Sequence, residues 1–294
     1  MKQNLIPLSD LNLTDRFLFD EVMEDPQAHQ DALSIIFGHT IPLLTQNETE
    51  KELRVSPAIR SIRMDVCSMD ENKSIYNTEM QKKRQTDLAK RSRYYQAMID
   101  TSLLEPGIPN YNILNRSFII IITPFDPFGL GLYRYTFNYK CEERPECGLN
   151  DGATKIFLNT RGMNPEEVSA ELVEFLHYLE NTTNQVAEHS TSDRIKRIHQ
   201  RVQEVKSNEE IGVKYMQAWE EKYYEREEGR EEGSKFKLLE QIIKKLRKDK
   251  TPETIADELE EDEDTIQHLC AVVKNFAPDY NLEQIYNAIY KKEN

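Results

Sequence analysis

Ile62-Arg63-Met64-Asp65-Val66-Cys67-Ser68-Met69-Asp70, then Glu71-Asn72-Lys73, then Ser74-Ile75-Tyr76-Asn77-Thr78-Glu79-Met80-Gln81, is the stretch that decides the fold. Both flanks are strand-like and the middle carries turn residues, which predicts a β-hairpin. Side chains alternate along a strand, so Glu79 and Gln81 share one face and Met80 takes the other. A three-residue turn sets Ser74 opposite Asp70 and Asp65 opposite Glu79. A two-residue turn would pair Asp65 with Thr78 and send the two carboxylates to opposite faces. Facing carboxylates repel unless a positive charge lies between them. A hard divalent cation answers that need, since Mg²⁺ takes one or two carboxylates together with phosphate oxygens.

These residues resemble the PD-(D/E)xK nuclease superfamily, and more closely its branch of nuclease family transposases and recombination-promoting nucleases. Arg63-Met64-Asp65-Val66 and Asn77-Thr78-Glu79-Met80-Gln81 are similar to that branch's core, and Arg91-x-x-Tyr94-Tyr95 follows them. The likeness covers about residues 10–165 and is looser in the charged tail. It implies a restriction-endonuclease-like α/β fold, with an αβββαβ core and a mixed sheet, followed by an α-helical C-terminal region. It also implies a metal-dependent DNA endonuclease. Asp65 and Glu79 would bind Mg²⁺ or Mn²⁺, with the Met80 carbonyl and Asp15 as further ligands. Gln81 stands where the superfamily has lysine, and would position water by hydrogen bonding without a charge. The alternative is a catalytically inactive nuclease-fold protein acting as a DNA-binding or protein-interaction module.

The net charge of −14 over 294 residues looks wrong for a partner of DNA until it is located. Residues 1–165 hold 19 Lys and Arg against 22 Asp and Glu, and the remainder 19 against 30, so the acidity lies mainly in the tail. Residues 82–93 run the other way: Lys82, Lys83, Arg84, Lys90, Arg91 and Arg93 stand against Asp87 alone. Basic residues directly after the carboxylates are where a phosphate backbone would need neutralising. Lys82, Lys83, Lys90, Arg91 and Tyr94 are therefore the candidate DNA contacts, an ordinary solvated helix face being the plain alternative.

Other features exclude more than they assign. No run approaches the ~20 apolar residues of a membrane span, and Met1-Lys2-Gln3-Asn4 has no apolar signal core. Cys67, Cys141, Cys147 and Cys270 show no CxxC spacing, so free thiols and a cytoplasmic setting are expected. Phosphate-loop, dinucleotide-loop and HExxH motifs are missing.

In chain order, Thr14 is predicted to cap a first helix ending before Pro26, and Asp25-Pro26 to open a second that Gly38 closes. Asp15, at the position where the resembled family carries an acidic residue, has a plain reading as support for the first helical turn. His29 and His39 are expected at the surface or in caps. Residues 40–60 read as a loop with a short strand near Leu53 to Ser56. Residues 82–104 are predicted helical on the spacing of Leu88, Tyr95, Ile99 and Leu103. Ser117 to Thr123, rich in isoleucine, reads as a strand buried on both faces. Strands at Leu132 to Lys140 and Thr154 to Asn159 would extend the sheet or form its edge.

Three regions are expected: a nuclease-like domain over 1–165, a helical extension over 166–204 packed on it, and a charged helical tail over 205–294. The tail carries the repeat Arg226-Glu227-Glu228-Gly229-Arg230-Glu231-Glu232-Gly233 and ends in two short helices resembling a helix-turn-helix. Acidic residues 260–264 open the second of these, which favours packing or homo-oligomer formation over DNA reading.

Overall fold

The computed structural model describes residues 5–53, 61–104, 107 and 109–291. The chain divides into two compact units, Met1–Tyr215 and Met216–Asn294.

The first unit is built on a six-stranded mixed sheet. Helices α1 (Arg16–Met23) and α2 (Pro26–Phe37) precede strands β1 (Leu44–Leu53), β2 (Ile62–Asp70) and β3 (Ile75–Met80). Helix α3 (Leu88–Leu103) connects β3 to β4 (Ser117–Thr123), followed by β5 (Arg134–Phe137) and β6 (Ala153–Asn159). The strand order is β1-β2-β3-β4-β6-β5. β1, β2 and β3 are antiparallel neighbours, β3, β4 and β6 run parallel, and β5 closes one edge antiparallel to β6. Parallel strands are normally covered on both faces, and here both are. Met80, Ile120, Ile122, Ile156 and Leu158 pack with α1, α2, α4 (Ala170–Glu180) and α6 (Asp193–Ser207). Ile75, Ile119, Ile121 and Phe157 pack with Leu88, Tyr95, Met98 and Ile99 of α3. Ile119, Ile120, Ile121 and Ile122 have no exposed surface, and full burial of such a side chain contributes about 1.5–3 kcal/mol.

The hairpin takes the register of the odd-numbered turn. Val66 pairs with Thr78, Cys67 with Asn77, Ser68 with Tyr76 and Met69 with Ile75. Asp70 N–H donates to Ser74 O at 3.0 Å, and Lys73 takes the positive φ of 62° that the turn requires.

Several elements differ from expectation. Residues 44–53 form a full strand, not a loop: β1 is the sheet's other edge, held by backbone pairing to β2, so its side chains stay polar. The expected strand near Leu53 to Ser56 falls mostly on residues 54–60, outside the described residues. α3 starts at Leu88, so Lys82, Lys83 and Arg84 lie in a loop. β5 spans four residues only. The cap of α1 is Asp15, not Thr14: Phe17 N–H donates to Asp15 Oδ1 at 3.1 Å. His29 is fully buried, with Nδ1 3.0 Å from Asn47 Oδ1 and Nε2 3.0 Å from Thr78 Oγ1.

After β6 come α4, α5 (Asn184–His189), α6 and α7 (Glu209–Leu246). Ser169, Thr183 and Ser192 cap the first three of these through their hydroxyls. Within the first unit, Ile211 and Tyr215 at the start of α7 pack against the larger core.

The second unit has its own small core. Leu239, Ile242, Ile243 and Leu246 of α7 meet Ile255 of α8 (Pro252–Leu259), Ile266, Leu269 and Val273 of α9 (Glu263–Lys274) and Ile285 of α10 (Leu282–Tyr290). Thr251 and Asp262 cap α8 and α9. α10 is a further helix beyond the expected pair, and its apolar positions complete a three-helix packing around the end of α7. No helix among the described residues is long and apolar enough to cross a membrane.

Candidate functional site

The hairpin brings Asp65 and Glu79 together. Asp65 N–H donates to Glu79 Oε1 at 3.1 Å, and Met80 N–H donates to Asp65 Oδ2 at 3.0 Å. Each carboxylate is thus held by backbone next to the other. Strict alternation along β2 breaks at this point. Met64 and Cys67 both face α3, whereas Val66 faces α1 and α2. On β1, Glu50 lies between the partners of Met64 and Val66 and takes a φ of 50°. The irregularity lets the site draw a cation from each side of the sheet. Arg16 Nη2 of α1 lies 2.6 Å from Asp65 Oδ1, and Arg91 Nη2 of α3 lies 3.3 Å from Glu79 Oε2.

Asp65 and Glu79 are 3 % and 1 % exposed. Burial raises the carboxyl pKa of both above the ordinary range. Glu79, pushed further by the Asp65 charge, reaches about 8, while Arg16 pulls Asp65 back down. A third buried carboxylate stands by: Asp20, one turn on from Arg16 and bonded to it at 3.3 Å, is raised to about 9 by burial and then by Asp65. Its Oδ1 is buried without a hydrogen-bond partner.

The other expected site residues fall into different places. Met80 turns its side chain into the core against the helices. Gln81 Oε1 accepts from Arg91 Nη1 at 3.0 Å, and its Nε2 donates to Lys83 O at 2.7 Å. Asp15 is occupied by its cap bond and lies 3.9 Å from Lys82 Nζ. Lys82, Lys83, Lys90 and Arg93 are exposed, as a phosphate contact requires. Arg91 is different: it is half-buried, bonds Glu79, Gln81 and Gln85, and lies 5.3 Å over the Tyr95 ring. Its position is that of a strut beneath the site. Tyr94 is half-buried against the α3 side of the core.

Arg16 and Asp20 carry no motif that marks them as site residues in the sequence. The signal available was their i, i+4 spacing on the first helix; nothing local tells that this pair meets Asp65.

Whether a divalent cation suits these residues follows from the donor set. Among the described residues, no three His, Cys, Asp or Glu side chains form a ready-made metal cage. Asp65 and Glu79 nevertheless offer hard oxygen donors, which is the number of carboxylates Mg²⁺ commonly takes, leaving positions for water and phosphate. Asp20, Asp65 and Glu79 when ionised exceed Arg16 and Arg91 by one negative charge, and Asp20 Oδ1 is orphaned. The site fits a cation.

No curated protein and no solved structure matches this chain. A family model described as PD-(D/E)XK nuclease family transposase matches residues 43–228, more than half of the sequence. The match takes in β1, the hairpin, α3 and the sheet, and continues through α6 into α7. On that match, and with the fold in agreement, the chain belongs to the PD-(D/E)XK nuclease family transposases.

Proposed function

We propose that the protein is a divalent-metal-dependent endonuclease that hydrolyses phosphodiester bonds in DNA. The observation that carries this is the interlocked pair Asp65 and Glu79, buried side by side on β2 and β3, which together with Asp20 exceed Arg16 and Arg91 by one negative charge when ionised. Asp65 and Glu79 would hold Mg²⁺ or Mn²⁺, with the Met80 carbonyl as a further donor. Asp20 replaces Asp15 as the outer carboxylate, because Asp15 is engaged in capping α1. The cation supplies Lewis-acid polarisation of the scissile phosphate and a lowered pKa for attacking water. The chain's own residues do the rest. Gln81 accepts or donates a hydrogen bond to that water, held in orientation by Arg91. Arg91 aims Glu79 and favours its ionised form against the opposing effect of burial. Lys82, Lys83 and Lys90 neutralise the DNA backbone.

A second reading has its own observation. Arg16 and Arg91 already neutralise one oxygen of each carboxylate, and an uncharged Gln81 replaces a lysine. A nuclease fold that binds DNA without cutting it is consistent with that arrangement. Incubation of supercoiled DNA with the protein and Mg²⁺ separates the two. Nicking by wild type that is lost in Asp65→Ala supports the enzyme, and intact plasmid that is nonetheless retarded in a gel supports the binding protein.

A further inference from the structure

The connection from β4 to β5 carries an apolar tip that the core does not use. Leu130 is 71 % exposed and stands between Gly129 and Gly131, whose φ values of 79° and 73° turn the chain on either side of it. Met163, 79 % exposed, lies against the same tip. Its N–H donates to Gly131 O at 2.7 Å, and its Cε comes within 2.6 Å of where a Cβ on Gly131 would stand.

The tip is braced from below. Asp126 accepts hydrogen bonds from Phe128 N–H at 2.9 Å, Gly131 N–H at 2.6 Å and Tyr135 Oη–H at 2.8 Å. The Phe128 ring packs on Tyr135, Phe137 and Phe157, with centroids 4.8, 5.0 and 5.1 Å away. Ordering of this kind removes the entropy cost that a loose loop would meet on binding.

Two contacts tie the tip to the rim of the candidate site. The loop leaves the end of β4 that adjoins the end of β3, where Gln81 N–H donates to Ile122 O at 2.9 Å. Arg84, in the basic loop after Gln81, lies 5.0 Å over the Phe125 ring and donates to Asp126 O at 3.2 Å. A rigid apolar tip is thereby anchored to the cationic run of Lys82, Lys83 and Arg84. The matching partner is anionic outside and apolar inside, which describes a nucleic-acid duplex. Leucine and methionine are among the side chains that wedge between base steps and kink the helix.

We propose that Leu130 and Met163 form a wedge that enters the base stack of a DNA duplex whose backbone rests on Lys82, Lys83 and Arg84. The inference rests on the DNA reading above and adds deformation of the substrate to it. Unstacking is easiest at flexible pyrimidine–purine steps, so the wedge would bias cutting toward them.

The test uses the full chain in EDTA and short duplexes carrying 2-aminopurine at successive positions, with binding followed by anisotropy. Wild type is expected to raise 2-aminopurine fluorescence severalfold on binding. Leu130→Ser combined with Met163→Ser should bind within about threefold of wild type and lose the rise, whereas Leu130→Met should keep it. Bound wild type with no rise, or an equal rise in the double serine variant, overturns the wedge while leaving the nuclease reading intact. Failure of wild type to bind any duplex, in EDTA and again with Ca²⁺ added, overturns both.

Discussion

Asp65 and Glu79 hold each other through the main chain: Asp65 N–H bonds Glu79 Oε1 at 3.1 Å, and the N–H after Glu79 bonds Asp65 Oδ2 at 3.0 Å. Neither carboxylate can swing away without releasing a buried backbone donor, so the pair is fixed before any ligand arrives. Such preorganisation is what an electrostatic site needs, because donors and acceptors then require no rearrangement during reaction.

The two arginines that flank the pair hold its buried carboxylates in place. Arg91→Leu leaves Glu79, 1 % exposed, without its cation, and removes the bond that orients Gln81. Loss of about 3 kcal/mol of unfolding free energy is expected in metal-free buffer, and adding Glu79→Gln should restore part of it. Urea unfolding of the three proteins checks this, and equal stabilities would show that the pair carries no load.

His29 gives a pH dependence with a definite sign. Burial lowers its pKa from 6.5 to about 4, so the folded protein binds fewer protons than the unfolded chain between those values. Its contribution is present above pH 6.5 and is lost as the pH falls toward 4, amounting to roughly 3 kcal/mol. Other groups also titrate in acid, so the comparison is between wild type and His29→Gln. The gap in urea midpoint between them should narrow or reverse on going from pH 7 to pH 4.5; a constant gap would mean that His29 does not titrate there.

The hairpin was readable because turn length fixes register: three turn residues set Asp65 against Glu79, and the pairs from Val66–Thr78 to Met69–Ile75 follow that register. The isoleucine strand was readable from composition, being buried on both faces. What the sequence concealed depends on distant chain. His29 is polar and looks like a surface residue until Asn47 and Thr78 close around it. Arg16 and Asp20 become site residues only when α1 packs on β2. β1 leaves no apolar pattern because an edge strand is held by backbone bonds and can keep polar side chains. The break in alternation at Asp65, which opens the site to both α1 and α3, leaves no pattern in side-chain type.

The exposed lysines should behave as phosphate contacts. Lys83→Ala together with Lys90→Ala is expected to weaken duplex binding and to lower the slope of log K against log salt by about one unit for each lysine. Arg91 is left out of this test because it is engaged with Glu79. An unchanged slope would return both lysines to an ordinary solvated surface.

A chain ending near residue 224 should unfold cooperatively, since it keeps Val205, Ile211 and Tyr215 in the core of the first unit. Ending it after residue 204 removes the fully buried Val205 as well as Ile211, Tyr215 and the Lys214–Glu21 ion pair. Thermal unfolding should then occur several degrees lower. Equal melting of the two chains would show that the start of α7 adds nothing to the core.

The central claim is that Asp65 and Glu79 together make the protein a metal-dependent nuclease, and single-turnover cleavage reads it directly. Protein and supercoiled DNA are mixed without metal, Mg²⁺ is added, and nicked product is followed for wild type, Asp65→Asn and Glu79→Gln. The account predicts nicking by wild type that starts with Mg²⁺ and stops with EDTA, reduced at least a hundredfold in both variants while DNA binding persists. Nicking that continues unchanged in Asp65→Asn and Glu79→Gln, or no nicking by wild type that binds the DNA, would contradict it.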